Sequence, residues 1–285
     1  MNSLDKLKEA KKFLDISGIE NAAREAETII SHCMETDRVK LYRDNLIIPE
    51  DIIQRINEYL KRRAKKEPLQ YILGYTEFYG LKIMTGPGVL IPRPETELLV
   101  EETIKIISNF EFRISNFKIL DLCTGSGCIA LALAGEFPDT YIYGTDSSEV
   151  AIKYAKENAE LNQIKNVKFR KGSLFVPVQK LKFDLIVSNP PYIKRTDIKS
   201  LQPEIKDWEP LEALDGGEDG LDYYRAIMPD ARIYLKKEGC LMLELGVGQA
   251  DAVRKMSEDT GFINISIIKD YAKIERILVA KSSIL

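Results

Sequence analysis

Apolar positions recur three and four apart through the front of the chain: Leu4, Leu7, Ala10 and Phe13-Leu14, then Ala22-Ala23, Ala26 and Ile29-Ile30, then Ile52-Ile53, Ile56 and Leu60. That spacing places them on one face of a helix and predicts a small bundle of about four helices reaching to Arg63. Pro49 with Glu50-Asp51 behind it reads as the first turn of the last of these. Between Pro68 and Pro92 the texture changes to Tyr71-Ile72-Leu73-Gly74, Phe78-Tyr79-Gly80-Leu81 and Ile83, followed by Gly86-Pro87-Gly88. A short hairpin and a linker are predicted there. The expected division is a helical bundle at 1–66, a hairpin linker at 67–92 and a larger domain at 93–285.

After Pro94, Leu98-Leu99-Val100, Thr103-Ile104 and Ile107 make another amphipathic helix, and from Lys118 onward two periodicities alternate. Strands are predicted at 118–122, 140–145, 167–170, 183–188, 240–245, 263–268 and 274–280, and helices at 127–136, 148–161, 221–236 and 248–259. Such alternation predicts an α/β domain with a mainly parallel sheet covered on both faces. The stretch from Ser188 to Asp219 exceeds an ordinary connection and reads as a wall or lid of a site.

The chain has 285 residues, 45% hydrophobic, with a net charge of -3. It lacks the global basic footprint of a protein whose main partner is a phosphate backbone. Four cysteines (Cys33, Cys123, Cys128, Cys240) without paired spacing, and one histidine, make neither a zinc site nor a disulfide framework. No metal is expected. His32 sits among Ile29, Ile30, Cys33 and Met34 at helical spacing and reads as a packing residue. No apolar run approaches the roughly 18 residues that span a bilayer, and no secretory h-region follows the charged start. A cytoplasmic protein with no membrane partner is expected.

The most informative element is Asn189-Pro190-Pro191-Tyr192, directly after the apolar run Phe183 to Ser188. Each proline fixes φ and lacks an N–H, so the strand must stop with Asn189 at its carboxyl edge. Open α/β sheets bind ligands at that edge. An amide oxygen and a rigid backbone carbonyl suit the two hydrogens of a planar NH2 group, and an aromatic ring covers its face. The motif reads as a holder for an amino nitrogen about to be alkylated.

A second glycine-rich element follows the strand Ile119-Leu120-Asp121-Leu122 and runs Cys123-Thr124-Gly125-Ser126-Gly127-Cys128-Ile129-Ala130. Gly125 and Gly127 permit a sharp turn and close approach of a ligand. The spacing also satisfies the dinucleotide fingerprint, with Asp146 about twenty residues on to hold ribose hydroxyls. Charge separates the readings, since a carboxylate at Asp121 would repel a pyrophosphate and attract an ammonium. The structural alternatives are a solvated strand end for Asp121 and a helix N-cap for Asp146.

With these residues assembled, the chain resembles the S-adenosylmethionine-dependent methyltransferases of class I, specifically the release-factor glutamine N5-methyltransferases of the HemK type. The resemblance is nearly end to end. It is carried by Ile91-Pro92-Arg93-Pro94-Glu95-Thr96-Glu97, Asp121 to Ala130, Gly144-Thr145-Asp146, Val187 to Ile193, Glu209-Pro210-Leu211-Glu212-Ala213-Leu214 and Asp219-Gly220-Leu221. It implies a Rossmann-like domain with a mainly parallel seven-stranded sheet, preceded by the helical domain and hairpin linker. It further implies that Asp121, Cys123, Thr124, Gly125, Ser126, Gly127, Asp146, Leu174 and Asn189 line an S-adenosyl-L-methionine site. Asn189, Pro190, Pro191 and Tyr192 are implied to hold the substrate glutamine, with Asn189, Pro190 and Tyr192 as the catalytic group. Two positions depart from the family pattern: Cys123 stands where glycine or another small residue is usual, and Lys273 where glycine is common.

The implied reaction is methylation of the glutamine of the Gly-Gly-Gln motif in class 1 peptide chain release factors, by a monomer with no nucleic-acid substrate and with the helical bundle recognising the factor. An RNA or DNA exocyclic-amine methyltransferase is the alternative in the same reaction class. A nicotinamide-dependent oxidoreductase would leave Asn-Pro-Pro-Tyr unexplained, and a non-catalytic cofactor-binding module would be expected to have lost it. Arg93 and Glu97 are expected either to close over the cofactor or to form a surface ion pair. Trp208-Glu209-Pro210 contacts the partner or anchors the long loop, and Lys61 to Lys66 is a solvated helix end or a contact for an acidic or RNA-binding partner.

Overall fold

The structure, a computed structural model, describes residues 1–108 and 116–283. They divide into two compact units, Met1–Tyr75 with Gln202–Trp208, and Thr76–Leu201 with Glu209–Leu285.

In the first unit the helical periodicity becomes α1 (Ser3–Ile16), α2 (Ala22–Cys33), α3 (Arg38–Arg43), α4 (Glu50–Ala64) and α5 (Leu69–Leu73). Asn2 caps α1 by accepting from the Asp5 N–H, and Asp37 caps α3 by accepting from Lys40. Leu14, Ile29, Ile30, Leu41 and Ile56 are fully buried. Each such side chain contributes roughly 1.5–3 kcal/mol, which is how a helix as short as α3 persists against its costly nucleation. His32 stacks on the ring of Tyr59 and lies tilted against that of Tyr75, with centroids 5.9 Å from each.

Two expectations change here. Residues 69–73, assigned from sequence to the hairpin region, are helical, because Pro68 presets the first turn and Gly74, at φ 84°, closes the last in the left-handed region. The basic run at the end of α4 is not uniformly solvated. Arg63 is buried and pairs with Glu25 at 2.5 Å and Glu204 at 3.1 Å, while Arg62 pairs with Glu67.

The second unit carries the hairpin β1 (Tyr75–Phe78) and β2 (Leu81–Met84), then α6 (Glu95–Ser108), β3 (Lys118–Leu122), α7 (Cys128–Glu136), β4 (Tyr141–Asp146), α8 (Glu149–Leu161), β5 (Val167–Lys171) and β6 (Phe183–Ser188). After the short α9 (Pro203–Lys206) of the first unit come α10 (Asp222–Tyr234), β7 (Leu235–Glu244), α11 (Ala250–Asp259), β8 (Phe262–Lys269) and β9 (Glu275–Ser282). The sheet order is β5-β4-β3-β6-β7-β9-β8. The first five strands are parallel, while β9 runs antiparallel to β7 and β8 antiparallel to β9.

Alternate residues of each central strand feed opposite cores. Ile119, Leu185, Val187 and Met242 join α6 and α7 on one face, and Leu120, Leu122, Ile186 and Leu243 join α10 and α11 on the other. Burial on both faces explains why these strands read as continuous apolar runs. Strand β7 begins five residues before the predicted 240, since Lys236, Lys237 and Glu238 carry no apolar alternation that would reveal it.

Candidate functional site

The chain builds β3, β4 and β5 outward in one direction and then returns to place β6 against the other side of β3. This reversal is a topological switch point, where the connections after neighbouring strands diverge and open a crevice at the carboxyl edge. Register sets what meets there. Leu122 pairs with Thr145 on one side and Ser188 on the other, and Ser188 pairs in turn with Leu243. The next residues, Asp146, Cys123, Asn189 and Glu244, therefore emerge as one row across four strands.

A cavity of ≈ 460 Å³ opens along this edge. Its wall includes Cys123, Thr124, Gly125, Ser126, Asp146, Leu174, Asn189 and Pro191, eight of the residues expected from sequence. Asp121, Gly127, Pro190 and Tyr192 are not on the wall. The long connection after β6 supplies wall at both ends, through Asn189 and Pro191 and again through Pro210, Glu212 and Ala213. Its return is fixed by a bridge between Ile193 and Asp215.

The glycine turn is held from two sides. Asp146 Oδ2 accepts from the Gly125 N–H at 2.9 Å, and its Oδ1 accepts from Ser148. Ser148, not Asp146, caps α8. Burial raises the Asp146 carboxyl, against the lowering effect of those two bonds. Gly127 is constrained to glycine: at φ 83° a Cβ would stand 2.8 Å from the Phe169 ring. Cys123 has φ 57°, also left-handed, a backbone conformation that favours glycine, one of the residues expected at that position from the resemblance. Lys273, at φ 66°, shares that conformation.

Asp121 is fully buried beneath this turn, so it is not a solvated strand end. Its Oδ2 accepts from Thr124 Oγ1 and from the Ala130 N–H, while Oδ1 has no partner. Burial pushes its carboxyl up to about 7. One oxygen thus ties the turn to α7 and the other stands uncompensated one layer behind the wall residue Thr124.

The Pro92 to Glu97 segment has three separate attachments. Arg93 lines the cavity and pairs with the buried Glu209, which also accepts from the Ile91 N–H. Glu97 accepts from the Tyr79 N–H at 2.8 Å. The alternative of an ion pair between Arg93 and Glu97 is not found among the described residues, and of the two readings of Trp208-Glu209-Pro210 the bonds of Glu209 fit the anchoring of the loop. Thr96, buried at the start of α6, accepts from Asn189 Nδ2 at 3.1 Å and donates to Glu244 Oε2 at 2.8 Å. Tyr192 OH donates to Glu244 Oε1 at 3.2 Å. Thr96 and Glu244 were not singled out from sequence. The signal for Glu244 was a lone carboxylate closing the apolar run Leu241-Met242-Leu243, the same position that drew attention to Asp121 and Asp146.

A family model described as "Methyltransferase small domain" matches residues 96–204, and one described as "PrmC N-terminal domain" matches residues 5–74. The release factor glutamine methyltransferase of Thermodesulfovibrio yellowstonii is 48% identical, with 99% of each chain covered. That of Geobacter sulfurreducens is 45% identical, over 93% of this chain and 92% of its own. Among solved structures, a methyltransferase from Pyrococcus furiosus aligns with a TM-score of 0.54 at 21% identity, covering 83% of this chain and 100% of that one. The human methyltransferase 10 domain containing protein aligns at 0.51 and 18%, over 71% and 90%. These two share the fold. The end-to-end identity to the bacterial relatives, on a chain whose strand ends gather the glycine turn and the Asn-Pro-Pro-Tyr corner in one crevice, means that this protein belongs to the release factor glutamine methyltransferase family.

Proposed function

We propose that this chain methylates the side-chain amide nitrogen (N5) of the glutamine in the Gly-Gly-Gln motif of class 1 peptide chain release factors. The observation that carries the reading is Asn189, whose NH2 is bound to Thr96 while its Oδ1 makes no hydrogen bond to the described residues, on the wall of the crevice.

The residues present suit S-adenosyl-L-methionine. Asp146 keeps acceptor capacity beyond its two N–H bonds for a pair of ribose hydroxyls. Val89, Leu90, Val150 and Leu174 supply an apolar strip for a flat base. The unpartnered Asp121 Oδ1 supplies negative charge behind the turn, where an ammonium gains most from it. Bound there, the cofactor supplies an electrophilic methyl group on a sulfonium sulfur.

An amide nitrogen is a weak nucleophile because its lone pair is delocalised, and the described wall residues include no histidine. The protein's task is therefore alignment, holding reacting atoms about 3–3.5 Å apart. Asn189 Oδ1 and the Pro190 carbonyl accept the two amide hydrogens and stabilise the positive charge that develops on nitrogen. Pro190-Pro191 keeps these acceptors from relaxing, and Tyr192, whose OH bonds Glu244, braces the corner from behind the wall. The surplus proton leaves the methylated nitrogen for water.

The helical bundle at 1–66 is assigned to recognition of the release factor, 67–92 to the linker and 93–285 to the transfer. The protein acts as a monomer in the cytoplasm on a protein rather than a nucleic acid. The net charge of -3 favours a protein substrate over a phosphate backbone, and among the described residues no helix is long and apolar enough to cross a membrane. Incubation with methyl-labelled cofactor and either purified release factor or total RNA tests the assignment: label enters the release factor, and label confined to RNA would refute it.

A further inference from the structure

Thr96 and Glu244 lie on different elements, the first turn of α6 and the last residue of β7, and meet beside Asn189, Thr96 at the cavity wall and Glu244 behind it. Both are almost fully buried, at 2% and 3% exposure. The register that pairs Ser188 with Leu243 delivers Glu244 to the row beside Asn189. We infer that Thr96 and Glu244 are positioning and specificity-determining residues that fix which end of the Asn189 carboxamide faces the guest. The inference rests on the assignment of Asn189 as the holder of the substrate amide.

The orientation follows from where the protons are. A threonine hydroxyl has one hydrogen and two lone pairs. The Thr96 hydrogen is directed to Glu244 Oε2 at 2.8 Å, so toward Asn189, 3.1 Å away, Thr96 Oγ1 can only accept. Only the NH2 end of a carboxamide can donate, and Oδ1 is therefore turned away from Thr96. A free carboxamide presents nearly the same shape either way round. Turned over, Asn189 would aim two N–H groups at the guest and match a carboxylate. Held as it is, it aims an acceptor and matches an NH2 group. The relay thereby selects glutamine over glutamate as well as setting the lone-pair direction for transfer.

Glu244 fulfils this role only as an acceptor. Its other oxygen accepts from Tyr192 OH at 3.2 Å, so one carboxylate braces both ends of the Asn189 to Tyr192 corner. The charged groups acting on it are Glu95, on α6, and Arg276, on β9, whose guanidinium is bonded to Asp270. Tyr224 OH bonds the Glu244 backbone carbonyl and leaves the carboxylate alone. Burial pushes the Glu244 carboxyl up to about 7. Protonated, it can donate to Thr96, which releases the Thr96 hydrogen toward Asn189 and reverses the amide. Transfer then rises with pH through that value.

The test compares wild type, Thr96→Val, Thr96→Ser and Glu244→Gln for kcat, KM and cofactor Kd, with thermal unfolding to confirm folding. Thr96→Val is expected to lower kcat about 10- to 100-fold, the usual effect of losing an orienting hydrogen bond. Cofactor Kd stays within about threefold, and Thr96→Ser returns kcat to within about threefold of wild type. A release factor carrying glutamate in place of the substrate glutamine competes about tenfold better, relative to the glutamine form, against Thr96→Val than against wild type. Glu244→Gln, which cannot titrate, loses the rise in kcat near neutral pH. Wild-type kcat in Thr96→Val, or cofactor affinity falling in step with kcat, would overturn the relay. Should Thr96→Val fail to fold, an unchanged pH profile in Glu244→Gln overturns it alone. No transfer by wild type would instead overturn the functional assignment, a separate outcome.

Discussion

Leu122 and Ser188 are register partners on β3 and β6, and Ser188 Oγ donates to the Leu122 carbonyl at 2.7 Å. This bond locks together the two strands on either side of the switch point, one residue before each leaves the sheet. The glycine turn and the Asn-Pro-Pro-Tyr corner are therefore held at a fixed separation by the sheet rather than by loops. For a reaction that relies on alignment, small displacements are costly.

Asn189→Ala separates acceptor holding from cofactor holding. Methyl transfer is expected to fall by about two orders of magnitude or more, while cofactor Kd, measured by calorimetry, changes less. Equal losses in both would make Asn189 a cofactor residue.

Asp121 governs a pH dependence of stability. Its folded value of about 7 lies above the ordinary 3.8, so the folded protein binds this proton more tightly than the unfolded chain. The associated stability is fully present below about 3.8 and is lost as pH rises through about 7. Asp121→Asn removes the charge. In the absence of cofactor it should stabilise the protein at pH 8 by on the order of 1–3 kcal/mol and flatten the fall in Tm between pH 5 and 8. Chemical and thermal unfolding across that range provide the check.

Cys123 and Lys273 hold left-handed backbone at φ 57° and 66°. Such a conformation costs a non-glycine residue roughly 1–2 kcal/mol. Lys273→Gly is expected to raise stability by about 1 kcal/mol in urea unfolding, because its turn carries no other constraint on side-chain identity. Cys123→Gly should gain less, since the half-buried Cys123 side chain also packs at the cavity wall and that contact is lost.

Arg63 is the electrostatic centre of the helical unit. Removing it leaves Glu25 and Glu204 facing one another without their shared cation. Arg63→Ala is expected to destabilise that unit by about 3 kcal/mol, the scale for breaking a largely buried pair. A double-mutant cycle with Glu25→Gln should recover part of the loss.

Legibility in the sequence followed the range of the interaction. The strand and helix pattern from Lys118 to Ser282 was readable because buried parallel strands are uninterrupted apolar runs and glycine or proline punctuates them. The Asn189 corner and the Cys123 to Ser126 turn were readable because proline and glycine constrain backbone locally. The burial of Arg63 was not, since its partner Glu204 lies in a segment more than a hundred residues away. Nor was the Thr96 and Glu244 relay: each residue has an ordinary local setting, and only the register of β6 against β7 brings them to Asn189. Asp121 was recognised as a site residue, but its depth beneath the turn depended on how α7 packs over it.

Transfer depends on alignment of a neutral carboxamide by Asn189. Tandem mass spectrometry of a release factor treated with the wild-type protein and with Asn189→Ala tests it most directly. The account predicts a methyl group on the side-chain nitrogen of the Gly-Gly-Gln glutamine with wild type and almost none with the variant. Methylation at another residue, or an equally methylated glutamine with Asn189→Ala, would contradict it.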